Sequence, residues 1–193
     1  MGLEPVPCPL FEVEAVAWAA PEPRTFDFVL FTSANAPRHG GDQLASLTTL
    51  PALAVGQATA EATRAAGFRV VKTGEEGIDS LLAALPGSQR LIHLTGVEHR
   101  VAVTAHAIET VVIYHSIELA APVIPSGGLV ALVHSPRAAA RFAEVARDRA
   151  GITIAAISAV AAAACGHGWN NVAIAEQPSD GALLALAARL CQD

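Results

Sequence analysis

Residues 28–38 read FVLFTSANAPR, and this stretch decides the fold. Phe28, Val29, Leu30 and Phe31 form an apolar run of the length of a buried strand. Thr32 and Ser33 follow at once, and small hydroxyl residues after such a run mark a helix N-cap. A strand that gives way directly to a helix is the βα unit of an open α/β sheet, where ligands gather at the carboxyl ends of the strands. The same order returns at 130–141 as VALVHSPRAAAR.

Outward from this stretch, residues 52–55, 68–71, 91–94 and 111–114 are further apolar runs expected as strands. They alternate with helices expected from about 34, over 59–66 with Gly67 as its stop, at 81–85 and over 97–108. After residue 128 the pattern restarts. Strands are expected at 129–133, 152–157 and 172–175, with helices at 137–147, through Cys165, and at 182–191 after the Pro178-Ser179-Asp180 cap. Such alternation predicts α/β architecture with doubly wound parallel sheets. The halves match at an offset of about a hundred residues: Ser33 with Ser135, Gly56 with Ser158, Leu81-Leu82 with Leu183-Leu184. Two similar units follow, and a cleft between two units is the default binding site. Residues 11–18 alternate apolar and polar, which suits a strand with one wet face, and 111–118 is its expected partner in a two-stranded link.

Composition narrows the function classes. The chain has 193 residues, 52% of them hydrophobic, and a formal charge of −6, which argues against bulk nucleic-acid binding. Cys8, Cys165 and Cys191 are scattered without a CxxC, as expected of reduced thiols in a cytoplasmic protein. No uninterrupted apolar run is long enough for a membrane span. The start, MGLEPVPCPLFEVE, lacks the basic region of a signal peptide. There is no Walker loop, no GxGxxG opening a helix and no GxSxG. The seven histidines have no metal-binding spacing, and His93 and His134, in or beside apolar runs, read as satisfied core residues.

The remaining chemistry is a set of hydroxyls at expected strand ends: Thr32, Ser33, Thr59, Thr95, Ser135 and Ser158. Each can simply cap its helix. As a group they share one sheet edge with free helix N–H groups, a setting that suits carboxylates. Arg38, Arg100, Arg137 and Arg141 follow strand ends closely enough to meet such carboxylates. Tyr114, the single tyrosine, either packs its ring in a strand or presents a phenol at a cleft mouth as a proton donor.

Six segments together resemble uroporphyrinogen-III synthases: PLFEVEAV at 9–16, FVLFTSANAPR at 28–38, AVGQATAEATRAAGFRVV at 54–71, VVIYHS at 111–116, VALVHSPRAAARF at 130–142 and AAISAVAAAACGHGWNNVAIAEQPSDGALLAL at 155–186. They lie in the family's order over nearly the whole chain. The resemblance implies two α/β domains joined by a two-stranded β ladder. Residues 1–20 with 117–193 would form the discontinuous first domain, and 21–116 the inserted second. It implies a hydro-lyase that closes hydroxymethylbilane to uroporphyrinogen III with loss of water and inversion of ring D, without metal or organic cofactor. A monomer with a linear tetrapyrrole as its small-molecule partner is expected, with no nucleic acid and no membrane. Tyr114 and Thr59 match the family's catalytic tyrosine and threonine. The substrate-binding set would be Thr32, Ser33, Gly56, Gln57, Ala58, Thr95, Gly96, Ser135, Pro136 and Ser158.

The chain departs from the family pattern in two places. The family begins with a further strand, loop and helix ahead of the segment matching residues 2–9, so the first domain is expected to lack one β–α unit. At 158–161 Ser-Ala-Val-Ala stands where the family has a hydroxyl-rich turn. The alternatives are a relative that binds a tetrapyrrole or other small anion without turnover, and a flavodoxin-like small-molecule receptor.

Overall fold

In the computed structural model, which describes residues 4–75, 77–125 and 128–192, the alternating stretch near the start forms β1 (Phe11–Ala15). The deciding run is β2 (Phe28–Phe31), followed by α1 (Asn35–His39) and a 3-10 turn over Gly41–Leu47. Then come β3 (Ala52–Val55), α2 (Gln57–Ala65), β4 (Val70–Gly74), α3 (Ile78–Ala83), β5 (Arg90–Gly96) and β6 (Ala107–Glu118). The restarted pattern gives β7 (Leu129–Val133), α4 (Pro136–Val145), β8 (Ile152–Ala156), α5 (Ala159–Ala164), β9 (Asn171–Ile174) and α6 (Asp180–Leu190). Two units divide the chain: Met1–Phe11 with Glu118–Asp193, and Glu12–Ile117.

In the 12–117 unit the sheet order is β1-β6-β5-β2-β3-β4. The pairs β6–β5, β5–β2, β2–β3 and β3–β4 are parallel, so their carboxyl ends share one edge. Side chains alternate across this sheet, as a strand's period of two requires. Val29, Phe31, Ile92 and Leu94 face α1 and the 3-10 turn, packing with Ala36, Leu44 and Leu47. Leu30, Leu53 and Leu91 face the other way, onto Ile78, Leu81 and Leu82 of α3. Cover on both faces makes the sheet doubly wound, and each fully buried Leu or Phe contributes about 2 kcal/mol of transfer free energy.

The other unit repeats the plan on a smaller sheet, β7-β8-β9, all parallel. Ile152, Ile154 and Ala156 of β8 pack with Ala139 and Phe142 of α4 and Ala161 of α5. Ala155 points oppositely, onto Leu183, Leu186 and Ala187 of α6.

Three expectations change. The helix expected over 97–108 does not form: residues 97–106 run as an irregular strap between β5 and β6. Val97, Val101, Val103 and Thr104 are β-branched and crowd a helix. Asp79 of α3 holds the strap instead, accepting the Val103 N–H at 3.2 Å and pairing with the Arg100 guanidinium. The strand expected at 111–114 is far longer. It pairs in parallel with β5 from Ala107, and it lies beside β1 as well, so the two-stranded link continues a larger sheet. His134 is no core residue. β7 stops at Val133, leaving the His134 side chain 55% exposed, with Nε2 at 3.6 Å from Asp180. The loop expected at 74–77 includes Glu76, and the opening residues 1–3 belong to the expected first domain; these positions lie outside the described residues.

Candidate functional site

The parallel edge of the 12–117 unit gathers most of the expected site residues. Thr32 and Ser33 leave β2, Gly56 leaves β3, and Thr95 and Gly96 end β5. Tyr114 is in register with Gly96 on β6, past a bulge between Thr95 and Gly96. The ring lies directly on the glycine: a Cβ at position 96 would fall 2.5 Å from Tyr114 Cε2 and 2.7 Å from Cζ. Any side chain there would evict the ring. Tyr114 is 8% exposed, and the His39 ring at the end of α1 stands 6.5 Å from it, centroid to centroid. Sequence reasoning passes over His39, because a lone histidine after a Pro-Arg pair carries no signal of its own.

Gly56 has φ +82, a conformation glycine adopts without the steric cost of a side chain. It opens α2 with no side-chain cap. The first N–H groups of any helix lack intrahelical partners. Here they belong to Gln57, Ala58 and Thr59, with the first two residues exposed. The Gln57 amide bonds Glu61 at 3.0 Å and leaves the helix end uncovered. Thr59 is buried, and its carbonyl accepts from the Thr63 hydroxyl at 2.7 Å.

Thr32 and Ser33 have local partners. The Thr32 hydroxyl is 2.9 Å from His93 Nε2, and the Ser33 hydroxyl accepts the Asn35 N–H at 3.2 Å. His93 is 2% exposed, and burial, with His99 adding to it, pulls its pKa from 6.5 to about 4. The expectation of a satisfied core histidine holds for it. His99 Nδ1 donates to the Gly96 carbonyl at 3.1 Å, and the two imidazoles meet edge to face at 5.8 Å.

In the other unit the expected residues do different work. Ser135 Oγ accepts the Ala138 N–H at 3.1 Å, and Ser158 Oγ accepts the Ala161 N–H at 3.3 Å. Both are helix caps, with Pro136 at the first position of α4. Arg100 and Arg141 are engaged with acids. Arg100 pairs with Asp79, while Arg141 meets Glu118 at 3.4 Å, Glu144 at 3.0 Å and the Leu119 carbonyl at 3.0 Å. The Arg137 guanidinium lies over the Phe11 ring, 4.3 Å from its centroid, and Arg38 is exposed. Among the described residues no cluster of His, Cys, Asp and Glu could hold a metal ion, and no helix is long and apolar enough to cross a membrane.

No curated protein matches the chain. Among solved structures, a uroporphyrinogen-III synthetase from Helicobacter pylori is 22% identical, with a TM-score of 0.71 over 94% of this chain and 91% of that one. A uroporphyrinogen III synthase mutant from Thermus thermophilus is 19% identical, with a TM-score of 0.49 over 95% and 88%. The first of these likenesses shows the fold. The family model for uroporphyrinogen-III synthase HemD matches residues 1–185. On that match the chain belongs to the uroporphyrinogen-III synthase family.

Proposed function

We propose that the chain carries out its family's reaction on the strand tips of the 12–117 unit. Hydroxymethylbilane loses water and closes to uroporphyrinogen III with ring D inverted. The observation that carries this reading is the uncapped start of α2 on the same sheet edge as Tyr114. Free N–H groups at Gln57, Ala58 and Thr59, with the positive end of the helix dipole, suit the acetate and propionate groups of the substrate. Thr32, Ser33, Thr95 and Gly96 border the same edge and supply further hydroxyl and backbone groups.

Chemistry then needs a proton and a shape. Tyr114 donates its phenolic proton to the departing hydroxyl, so that the C–O bond breaks and water leaves. The substituted carbon of ring D attacks the resulting cationic methylene, the spirocyclic intermediate rearranges, and loss of a ring proton restores the charge balance. The protein contributes chiefly by folding the chain of pyrroles, and a well-oriented intramolecular attack supplies much of the rate. In the other unit Ser135, Pro136 and Ser158 act as helix starts. The enzyme works as a cytoplasmic monomer, so sedimentation at working concentration gives the mass of one chain.

The test is a coupled assay with enzymatically generated hydroxymethylbilane and separation of product isomers. Type III product supports the proposal. Type I alone, the spontaneous isomer, contradicts it. Type I with retained tetrapyrrole affinity favours binding without turnover, a reading supported by Val160, which is 67% exposed beside the Ser158 cap where the family carries hydroxyls.

A further inference from the structure

His93 is an unusual occupant for its position. Leu91 and Leu94 beside it on β5 are fully buried, and the histidine itself is 2% exposed. A leucine would fill such a place without the cost of burying two polar nitrogens. Its register partner on β2 is Leu30, yet the ring leans along the sheet to bring Nε2 within 2.9 Å of the Thr32 hydroxyl at the strand's carboxyl end.

We propose that His93 is a positioning residue for substrate binding: neutral, with its proton on Nε2, it donates to the Thr32 oxygen and leaves the Thr32 O–H free to donate to a substrate carboxylate. The inference rests on the reading that Thr32 meets such a carboxylate. A hydroxyl has one proton and two lone pairs, and a carboxylate accepts only. If Thr32 gave its proton to His93, it would turn lone pairs toward the carboxylate and repel it. If Nε2–H gives instead, the proton stays available. Either choice fills the same 2.9 Å contact, so the tautomer decides whether the strand tip attracts or rejects an anion.

The surroundings can accommodate the Nε2–H form. With the proton on Nε2, Nδ1 is an acceptor and needs a polar setting. The His93 ring lines a cavity of about 220 Å³ whose walls include the hydroxyl-bearing Thr104 and Thr110, large enough for ordered water. His99, which lines the same cavity, has its Nδ1 proton committed to the Gly96 carbonyl at 3.1 Å. That bond also ties the strap to the glycine on which Tyr114 rests.

Two measurements on the full chain test the assignment. Two-bond proton–nitrogen correlation of the imidazoles reads the tautomer directly. A proton on Nε2 of His93 is expected, and a proton on Nδ1 overturns the inference while leaving the Thr32 reading standing. Kinetics of type III product formation supply the second readout. T32V raises KM about tenfold with kcat within about twofold, the size of one lost charge-assisted hydrogen bond. H93F does the same, H93Q, which keeps an N–H, recovers most of the loss, and T32V/H93F is no worse than T32V alone. A purely structural histidine would lower the melting temperature of every variant and add its effect to that of T32V. H93F with an unchanged KM beside a raised KM for T32V overturns this inference alone. An unchanged KM for T32V overturns the Thr32 reading and the inference with it. Should H93F fail to fold, H93Q and the tautomer measurement decide between the two tautomers.

Discussion

The two units are built on one plan and use their strand ends differently. In the unit that contains β7, α4, α5 and α6 each begin on a serine whose hydroxyl holds the first turn: Ser135, Ser158 and Ser179. In the 12–117 unit, α2 and α3 begin on glycines with positive φ, Gly56 and Gly77, and neither has a side-chain cap. A serine cap satisfies an N–H group and stabilises the fold. A glycine start leaves those groups for something else. The same position in a repeated plan therefore holds its first turn with a side chain in one unit and carries no side-chain cap in the other. The sequence already sets Gly56 against Ser158, but only the structure shows that one is a positive-φ start without a side-chain cap and the other a serine that holds its helix.

That contrast can be broken most forcefully at Tyr114. Y114F keeps the ring seated on Gly96 and removes only the phenolic oxygen, so kcat for type III product falls about a hundredfold or more while thermal stability barely moves. A variant with wild-type kcat would remove Tyr114 from the chemistry and leave the 12–117 tips as a binding surface only.

Acid sharpens the contrast next. His93 has a folded pKa of about 4 against an ordinary 6.5, so between those values the unfolded chain binds a proton that the folded chain refuses. The stability that rests on neutral His93 is complete above pH 6.5 and is lost as pH falls toward 4, up to roughly 3 kcal/mol. Denaturant unfolding at neutral and mildly acid pH measures it, and H93F flattens this limb.

The serines test the other side. S135A and S158A each cost about 1 kcal/mol in unfolding free energy and leave KM unchanged. Q57P removes one of the free N–H groups at the first position of α2, where a helix tolerates proline, so it shifts stability by less than about 1 kcal/mol and raises KM several-fold. If the serine variants raised KM while Q57P did not, the assignment of roles to the two units would be reversed.

Much of this molecule is legible from its residues. The apolar runs at 28–31, 52–55 and 129–133 are strands with those bounds, because short buried runs ended by Ser, Gly or Pro leave the backbone few alternatives. The strap at 97–106 reads as a helix and is not one. Its alanines and histidines match a helical spacing, but its β-branched residues and the side-chain carboxylate of Asp79, well upstream in sequence, decide otherwise, and tertiary contacts of that kind leave no local trace. The site divides the same way. Gly96 and Tyr114 are far apart in sequence, and their contact follows only from a bulged parallel register. The Thr32–His93 contact needs the pairing of β2 with β5, 61 residues on.

The measurement that bears most directly on the account is an amide chemical-shift titration of the intact chain with uroporphyrinogen III under anaerobic conditions. The account predicts the largest shifts at the N–H groups of Gln57, Ala58 and Thr59, with little change at Ala138 and Ala161, whose N–H groups are already held by serine. Silent amides at 57–59, with movement confined to 138 and 161, would contradict it.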